Sequence, residues 1–415
     1  MLIRIFLFFV LMSLQGSQVF RFEKGVADCK DLSGQIDELI ISEIDSNKLS
    51  GAVVLVASNH KILYKKAFGY AFKYDDELKV AGFTEKMTTK HLFDLASLTK
   101  VLATTFAIMI LKDQGKLLLD DEVSKYLTEF QSEDKRNITI RQLLTHSSGL
   151  KEWYPLYYLA SGKNKTIDVI ASMPLAYPIG ESRHYSDLGF MTLGYVVEKI
   201  SGLPLDQFLS ENLYKPLDLK NTVFNFKKNL KKGKVAATSH GNPFEKKMVY
   251  DDSFGYKIEG VDPEAWDKWR DYTLRGEVND GNAWYANNGV AGHAGLFSTV
   301  DDIQVLIDLL LNNGNFQGKQ IISEKTVKAF LTKDKFQNGL GWMMDTKLFS
   351  AKDAPENTFG HTGFTGTSIV AMPNSKTSII LLTNRQHIGQ QPGGQYYNLN
   401  ELRQKLFNIV LDCVD

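Results

Sequence analysis

The chain has 415 residues, 43% of them hydrophobic, and its 48 basic side chains balance 48 acidic ones. Such a length allows two core-sized units, or one large domain with an insertion. Because the formal charge is zero and no basic stripe is present, the composition does not favour nucleic acid or an anionic membrane as a partner. Two cysteines cannot form a metal site and the eight histidines lack ligand spacing, so we expect neither a metal nor a cofactor.

The first 20 residues have the pattern of an export signal. Arg4 precedes an apolar run over residues 5–14, which has the length of a signal-peptide core. The residues that follow contain no clear small-x-small cleavage site, so an uncleaved membrane anchor stays an alternative. We therefore expect export to the periplasm or the cell exterior.

The first elements of the exported part are a helix and a hairpin. Apolar residues recur at helical spacing over residues 32–44, which predicts an amphipathic helix. Two β-rich runs follow at 51–57 and 61–69, and the three residues between 57 and 61 suit a hairpin turn. We expect the helix to pack on the flat face that these strands provide.

The next element centres on Ser97 and Lys100. Ser-x-x-Lys occurs four times in the chain, but only Ser97 opens a long apolar run, 101–111, that ends at Gly115. A serine and a lysine three residues apart on a helix lie on one face, so the amine can reach the hydroxyl oxygen. The pair is a candidate nucleophile with its activator, although a helix cap followed by an exposed lysine has the same pattern.

The middle of the chain is predicted to be helical. Residues 117–130 suggest a short turn and an edge-packed helix, and Thr139 caps another helix. Tyr185 comes shortly before a further helix at 190–200. Residues 225–252 are interpreted as a long polar connection.

Beyond residue 289 the pattern changes. Residues 289–297 are too rich in glycine for a helix, and they suit backbone that approaches other backbone or a ligand closely. A helix at 300–311 follows, and then two strands at 368–372 and 377–383 that form a second hairpin. A helix at 399–411 ends the chain.

Strands at both ends, with helices between them, predict an α+β fold. One sheet would be built from residues 21–95 and 289–415, and a mainly helical domain of residues 96–288 would be inserted between them. The active site would then lie at the seam.

An acyl-transfer site needs a nucleophile, a proton shuttle, a group that binds the far end of the substrate, and two N–H donors for the oxyanion. Ser97 and Lys100 supply the first pair. Lys100 would either lose its proton through burial or stay charged and keep a nearby tyrosine basic, and Tyr185 is the candidate for that second role.

The stretch 359–366 supplies the remaining groups. Its glycines, Gly363 among them, let a strand lie close against a bound acyl group, and His361 lies in the same strand. The N–H of Phe364 could join that of Ser97 as an oxyanion hole.

Three motifs together resemble those of the serine β-lactamase and penicillin-binding protein superfamily. They are Ser97-Leu-Thr-Lys100, Tyr185-Ser-Asp187 and His361-Thr-Gly363, in the order and approximate spacing of that superfamily. Residues 144–150 and 292–298 are similar to its class C-related branch. Residues 275–297 resemble the low-molecular-weight type 4B penicillin-binding proteins in particular.

The resemblance implies a β-lactamase/transpeptidase-like fold, in which terminal helices flank the sheet, and a Ser97 acyl-enzyme that water resolves. Lys100 would be the base or electrostatic partner, Tyr185 the proton shuttle and His361 the third-motif residue. The superfamily most often has lysine in place of His361 and often asparagine in place of Asp187. A neutral His361 binds a substrate carboxylate less securely, and an ionised Asp187 can accept but not donate a hydrogen bond.

Other residues near these motifs are candidate binding residues. Asp187, Gly363 and Phe364 are expected to contact the substrate. Trp153 and Tyr154 suit a cleft wall or a surface hydrophobic cluster equally well. His293 adjoins the cleft, but its glycine-rich surroundings favour a structural role.

The two cysteines stand at opposite ends of the exported part. In the resembled fold the first and last helices pack side by side, which would bring Cys29 and Cys413 together in a disulfide.

The sequence favours an exported serine hydrolase that acts on D-Ala-D-Ala cell-wall peptides, as a DD-carboxypeptidase or endopeptidase. An esterase or a weak β-lactamase is the alternative in chemistry, because the fold does not fix the substrate. A non-catalytic sensor of wall peptides or β-lactams is the alternative of another class. The expected partners are a peptidoglycan stem peptide, a β-lactam or a small ester, and the oligomeric state is left open.

Overall fold

The structure is a computed structural model that describes residues 31–224, 235–349 and 354–414. The signal sequence predicted over residues 1–20 and Cys29 lie outside these described residues. No helix in the described ranges is long and apolar enough to cross a membrane.

In the described residues, the strands of the main sheet lie near the two ends of the chain, and most of the helices lie between them. In the described residues the helices are α1 (Leu32–Asp45), a π-helical turn (Lys100–Thr104) leading into α2 (Thr105–Asp113), α3 (Ile140–Leu144), α4 (Lys163–Ser172), α5 (Asp187–Ser201), α6 (Leu205–Leu209), α7 (Pro243–Tyr250), α8 (Val300–Leu311), α9 (Glu324–Phe330) and α10 (Asn400–Val414). The strands there are β1 (Gly51–Ser58), β2 (Lys61–Tyr74), β3 (Val80–Lys86), β4 (Phe93–Asp94), β5 (Val223–Phe224), β6 (Leu296–Ser298), β7 (Asn315–Phe316), β8 (Lys319–Gln320), β9 (Phe359–Gly363), β10 (Thr367–Met372) and β11 (Thr377–Thr383).

The main sheet has six antiparallel strands in the order β3-β2-β1-β11-β10-β9. Its centre is the pairing of β1 with β11, in which Ala52 lies opposite Thr383 and Ser58 opposite Thr377. Strands from the two ends of the chain therefore meet in the middle of one sheet, as the sequence predicts. The two predicted hairpins, β1–β2 and β10–β11, are both confirmed.

The two faces of β1 belong to different parts of the core, because successive side chains of a strand point in opposite directions. Val54 and Val56 face α1 and α10, which cover one side of the sheet with apolar residues such as Ile40 and Leu406. This arrangement confirms the predicted flanking by the terminal helices. Cys413, near the end of α10, is disulfide-bonded, and the only other cysteine of the chain lies outside the described residues.

The opposite face of the sheet packs against the helical part of the chain. Val53 and Leu55 of β1 join a large cluster of buried residues that includes Phe106 of α2, Phe190 of α5 and Ile303 of α8. One continuous core thus connects the sheet to the helices between its halves. The predicted domain limits at residues 95/96 and 288/289 stay a prediction.

Two predictions about the middle of the chain were wrong. Residues 117–130 form two short 3-10 turns, Val123–Lys125 and Thr128–Phe130, because the extended backbone of Glu122 and Leu127 prevents one continuous helix. The predicted polar connection contains α7, where a proline at the first helical position follows Asn242. Residues 225–234 of that connection lie outside the described part of the chain.

Candidate active site

Ser97 lies in a turn between β4 and the helical segment that starts at Leu98. Its neighbour Ala96 has a φ of 45°, a left-handed conformation that is uncommon outside glycine. Buried Asp94 holds this turn, because one carboxyl oxygen accepts the N–H of Ala96 at 2.9 Å and the other accepts the N–H of Asn279 at 2.6 Å. The structure therefore fixes the backbone on which the candidate nucleophile stands.

Lys100 is fully buried at the start of the π-helical turn, one turn after Ser97. Its Nζ lies 3.0 Å from Ser97 Oγ and 2.7 Å from Asp187 Oδ1. It also donates to the backbone carbonyl of His293 at 3.3 Å. The prediction that this amine reaches the serine hydroxyl is met, and the lysine does not point into solvent.

The charge of Lys100 is set by its neighbours. Burial alone would lower the pKa of this amine, but Asp187 and Tyr185 outweigh that effect and raise the pKa above its ordinary value. Lys100 is therefore an ammonium at neutral pH, and Asp187 is its counterion.

Tyr185 stands immediately before α5, where Ser186 is the N-cap and accepts the N–H of Gly189 at 3.0 Å. The Lys100 ammonium lies 4.8 Å from the centre of the Tyr185 ring. His146 packs on the other side, with ring centres 4.6 Å apart, and its Nδ1 accepts the N–H of Ser186 at 2.9 Å. Contacts from three segments of the chain thus hold the phenol in place.

Ser97 and Lys100 both interact with the phenol of Tyr185 and act to lower its pKa. Burial raises its pKa above the ordinary value, while Lys100 acts in the opposite direction and Asp187 reinforces the effect of burial. The resting form of Tyr185 is consequently the neutral phenol.

Strand β9 brings Gly363 against the strand that leads to Ser97. A Cβ at position 363 would overlap the side chain of Thr367 and the backbone carbonyl of Leu95, so only glycine allows this approach. Phe364 follows at the rim of the site, and its backbone carbonyl is held by the Arg385 guanidinium at 2.6 Å. Gly363 and Phe364 are therefore placed beside the nucleophile turn, as the sequence predicts.

The His361 side chain is buried, which sets its protonation state. Its Nδ1 contacts the backbone carbonyl of Thr362 at 2.8 Å, and Nε2 has no hydrogen-bond partner among the described residues. Burial, with the nearby Lys100 charge, lowers the pKa of His361 to about 3. The buried ring is therefore neutral at physiological pH, which is the state in which it is expected from the sequence to bind a substrate carboxylate less securely.

His293 supports the site from behind. Its ring Nε2 lies 2.8 Å from Asp280 Oδ1, and its own backbone carbonyl accepts from Lys100. Burial raises the pKa of Asp280, but His293 outweighs this and holds it below the usual value. The favoured structural role for His293 agrees with these contacts.

One group of side chains among the described residues has a donor set for a metal ion. Asp187, Asp280 and His293 place potential ligand atoms within 4.8 Å of one another. The Lys100 ammonium is already bound to Asp187, however, and a like charge beside a metal ion is unfavourable. We therefore interpret the three side chains as the hydrogen-bonded support of Lys100.

Ser97, Tyr185 and Asp187 open onto a cavity of about 270 Å³. Four carboxyl groups line it, from Glu152, Asp187, Glu245 and Asp280, and no lysine, arginine or histidine side chain does so among the residues the structure describes. Burial, reinforced by Asp280, raises the pKa of Glu245 to about 8. The wall facing the nucleophile is thus acidic, with Glu245 protonated at neutral pH.

Aromatic side chains form the outer wall of this cavity. Trp153 lines it together with Tyr256, whereas Tyr154 lines only a neighbouring cavity. The interpretation of Trp153 as a cleft wall is therefore supported, and Tyr154 belongs to the adjoining surface.

Sequence reasoning missed Asp94, Glu245 and Asp280. Asp94 carries a detectable signal, since it is the one charged residue in the apolar stretch before Ser97. Glu245 lies in the stretch that was interpreted as a polar connection, and Asp280 lies between Asn279 and Gly281. Neither has a local pattern that distinguishes it from a surface acid.

Comparison with known proteins places this geometry in context. The family model described as Beta-lactamase matches residues 36–403. The N-acetylmuramyl-L-alanine amidase of Bacillus subtilis is 35% identical over 373 residues, covering 85% of this chain and 81% of that protein. An Escherichia coli K12 protein named "Putative D-alanyl-D-alanine carboxypeptidase" is 36% identical over 375 residues, covering 85% and 82%.

Solved structures of lower sequence identity have the same fold. The hydrolase EstCE1, described as having promiscuous acyltransferase activity, aligns with a TM-score of 0.66 at 22% identity, covering 92% of this chain and 99% of that one. A penicillin-binding protein homologue from Caulobacter crescentus aligns with a TM-score of 0.65 at 18% identity, covering 92% and 98%. The family model, the relatives and the fold agree with the resemblance in the three motifs, and the chain belongs to the β-lactamase family as a serine hydrolase.

Proposed function

We propose that the chain is an exported hydrolase that cleaves an amide bond of peptidoglycan peptides through a Ser97 acyl-enzyme. The observation that carries the proposal is the placement of the buried Lys100 ammonium, 3.0 Å from Ser97 Oγ and 2.7 Å from Asp187, behind a cavity that Ser97 and Asp187 line. Two relatives named for D-alanyl-D-alanine peptides and for an N-acetylmuramyl-L-alanine bond support this class of substrate. Export rests on the first 20 residues of the sequence.

In the first half of the reaction, Ser97 Oγ attacks the carbonyl carbon of the scissile amide. Its proton passes to the phenolate form of Tyr185, which is the minor form at neutral pH because burial raises the pKa of the phenol, and which the Lys100 charge stabilises. The N–H groups of Ser97 and Phe364 donate to the developing oxyanion. When the C–N bond breaks, the leaving amine takes the proton from Tyr185, and the acyl group stays on Ser97.

In the second half, water replaces the amine. Tyr185 accepts a proton from the water as its oxygen attacks the acyl carbon, and Ser97 Oγ leaves and regains the proton. The free acid is released, and no group outside the described site is needed for either half.

The acidic wall bears on which bond is cut. A peptide that ends in a free carboxylate would find no cationic side chain on the described cavity wall to bind it, because the Lys100 ammonium is buried behind the wall and already paired with Asp187, and it would lie close to the Asp280 carboxylate. A substrate whose leaving group is an internal amine lacks that repulsion. Within the predicted class, this favours endopeptidase or amidase activity over carboxypeptidase activity.

The nucleophile is tested by covalent labelling. We expect a fluorescent penicillin or an activated ester to add to the peptide that contains Ser97, and Ser97→Ala to lose the label in mass spectrometry. Lys100→Ala and Tyr185→Phe should slow acylation by about two to four orders of magnitude, the usual effect of losing a positioned acid–base group. Ser132→Ala is the matched control, since Ser132 belongs to another Ser-x-x-Lys but is exposed and outside the cavity. Full hydrolysis by Ser97→Ala would exclude the mechanism.

The bond is tested with a matched panel of substrates. A D-Ala-D-Ala peptide with a free carboxylate is compared with its C-terminal amide and with an N-acetylmuramyl-L-alanine peptide. We expect the amide and the muramyl peptide to have the higher kcat/KM. A preference for the free carboxylate would contradict the argument from the acidic wall and indicate a carboxypeptidase.

An esterase is the second candidate. The similarity of fold to EstCE1 and the absence of a cationic group on the described cavity wall both suit short neutral esters. Including such esters in the same panel separates the two functions. A purely sensory role is less well supported, because the serine, lysine and tyrosine are arranged for acylation.

A further inference from the structure

A second cavity of about 300 Å³ adjoins the catalytic cavity. The two share a wall made by Glu152, Trp153 and Tyr256. We call the second one the outer cavity; Lys151, Tyr154, Tyr177 and His184 line it on the far side of that wall. Its volume lies at the lower end of the roughly 300–1,000 Å³ range of small-molecule sites.

Aromatic rings make up much of the outer cavity. Trp153 and Tyr256 meet edge to face, with ring centres 4.9 Å apart. Tyr177 packs on His184 with ring centres 4.2 Å apart, and its hydroxyl donates to the backbone carbonyl of His146 at 3.2 Å. These rings are therefore braced in place before any ligand binds, which lowers the entropy cost of binding.

Polar groups stand at the edge of the same cavity. Glu152 Oε1 lies 3.2 Å from His184 Nδ1, and about half of each side chain is exposed, 54% and 43% respectively. The Lys151 ammonium lies 4.9 Å from the centre of the Tyr154 ring. An acceptor, Glu152, and two donors, Lys151 and His184, thus line the same cavity as the aromatic rings.

This combination fits one kind of ligand better than others. A purely apolar group would bury the polar edge without partners, and an anion would meet the Glu152 carboxylate. A pyranose ring has an apolar C–H face that packs on an aromatic ring and hydroxyl or acetamido groups at its rim. We propose that the outer cavity binds a sugar ring, of the N-acetylated hexosamine type, that is attached to the peptide cleaved at Ser97.

The proposal deepens the proposed function and rests on it. Because Glu152, Trp153 and Tyr256 line both cavities, a sugar in the outer cavity would lie next to the cavity that contains Ser97, and its attached chain would extend toward the nucleophile. Binding energy from this non-reacting ring then helps to position the amide. Substrates that lack the sugar should lose that contribution.

The test measures binding separately from catalysis. Ser97→Ala protein is titrated calorimetrically with an N-acetylmuramyl peptide and with the same peptide carrying an acetyl group in place of the sugar. We expect the sugar to improve the affinity about tenfold or more, and Tyr154→Ala or His184→Ala in the same background to remove most of that gain.

Tyr70→Ala is the matched control. Tyr70 is a part-buried tyrosine on β2 with a lysine ammonium over its ring, as Tyr154 has, but it lines neither cavity. It should keep the gain from the sugar. Equal affinity for the two peptides, or a preference for an aromatic amino acid amide over the muramyl peptide, would overturn the proposal.

Hydrolysis by the unmodified enzyme is measured in parallel. Cleavage of the peptide with no effect of the sugar on affinity would leave the proposed function intact and remove the sugar subsite. Sugar-dependent binding without cleavage of any amide would keep the sugar subsite and remove the proposed function.

Discussion

At the scale of single residues, the site is a proton network around one ion pair, Lys100 with Asp187. Lys100 keeps its proton because Asp187 lies 2.7 Å away, so in the proposed reaction Tyr185 is the group expected to change protonation. Asparagine at position 187 would not supply that counter-charge. The departure of this chain from the superfamily's commoner motif thus shifts the work of the base toward the tyrosine.

The pH profile of the hydrolase tests this assignment. Burial raises the pKa of Tyr185 above its ordinary value, so the phenolate fraction grows about tenfold per pH unit below that pKa, and kcat/KM for a neutral ester should climb between pH 5 and 9. The pKa of His361 is about 3, so this residue stays neutral over that range, and His361→Gln should have the same profile shape. Tyr185→Phe should lose the climb.

The control for this profile is Glu245→Gln. The pKa of Glu245 is raised to about 8 by burial, so its ionisation falls inside the measured range and must be separated from that of Tyr185. A fall of activity centred near pH 6.5 that disappears in His361→Gln would contradict the neutral state of the buried histidine.

The residues of the site differ in how far the sequence reveals them. Short sequence motifs predict Ser97 with Lys100 and Tyr185 with Asp187, because the members of each pair are close in the chain. Asp94 acts through the N–H of Asn279, 185 residues away, and no local pattern records such a contact. The protonation state of His361 could not be predicted from the sequence either, because it depends on burial by elements that meet only in the folded chain.

At the scale of elements, β9 joins the sheet to the nucleophile. Its register on β10 places Gly363 opposite Thr367, whose hydroxyl donates to the backbone carbonyl of Leu95 at 3.1 Å. The neighbouring Thr365 hydroxyl donates to the carbonyl of Asp94 at 2.7 Å. The end of the sheet is therefore fastened directly to the turn that presents Ser97.

Gly363→Ala tests this close approach. The new methyl group would overlap Thr367 and Leu95, so we expect a loss of about 1–3 kcal/mol in the free energy of unfolding. Displacing β9 also moves Phe364 relative to Ser97, and kcat/KM should fall by about 100-fold. Chemical denaturation and steady-state kinetics measure the two effects.

Gly82→Ala is the comparison variant, because Gly82 is also in a strand of the main sheet but a Cβ there has open space around it. It should fold and turn over like the unsubstituted enzyme. If Gly363→Ala behaved in the same way, the strand could not be held against the nucleophile turn as described.

Elements with a strong local period were predictable, and those defined by distant contacts were not. Helices α1, α8 and α10 and both hairpins follow from hydrophobic spacing and turn residues. The stretch 117–130 has helical spacing but forms two 3-10 turns, because extended residues interrupt it. Helix α7 was missed because its surroundings are polar, although Pro243 was a usable start signal.

At the scale of the whole molecule, a buried histidine connects segments from the two ends of the chain. His387 follows β11, and its Nε2 accepts the N–H groups of Lys73 and Tyr74 at the end of β2, at 2.9 and 3.1 Å. Its ring stacks on His240 with centres 5.2 Å apart. One neutral imidazole thus links the N-terminal strands, the middle of the chain and the C-terminal strands.

This link makes stability depend on pH. Burial, with nearby positive groups, lowers the pKa of His387 to about 3, whereas an unfolded histidine has a pKa of about 6.5. Below pH 6.5 the unfolded chain therefore binds a proton that the folded chain does not. The stabilisation is fully present above pH 6.5 and is lost as the pH falls toward 3, by roughly 3–5 kcal/mol in total.

His387→Gln isolates this contribution, because a glutamine oxygen can accept the same two N–H groups but does not titrate. Between pH 6.5 and 4 we expect the free energy of unfolding to fall more steeply for the unsubstituted protein than for the variant. The two slopes should differ by about one proton, which is roughly 1.4 kcal/mol per pH unit. His60→Gln, at the exposed β1–β2 turn, controls for replacing a histidine at the surface. Urea denaturation at several pH values gives both curves. Parallel curves for the unsubstituted protein and His387→Gln would contradict the argument, because they would mean that the imidazole joining the two ends of the chain takes up its proton equally in the folded and unfolded states.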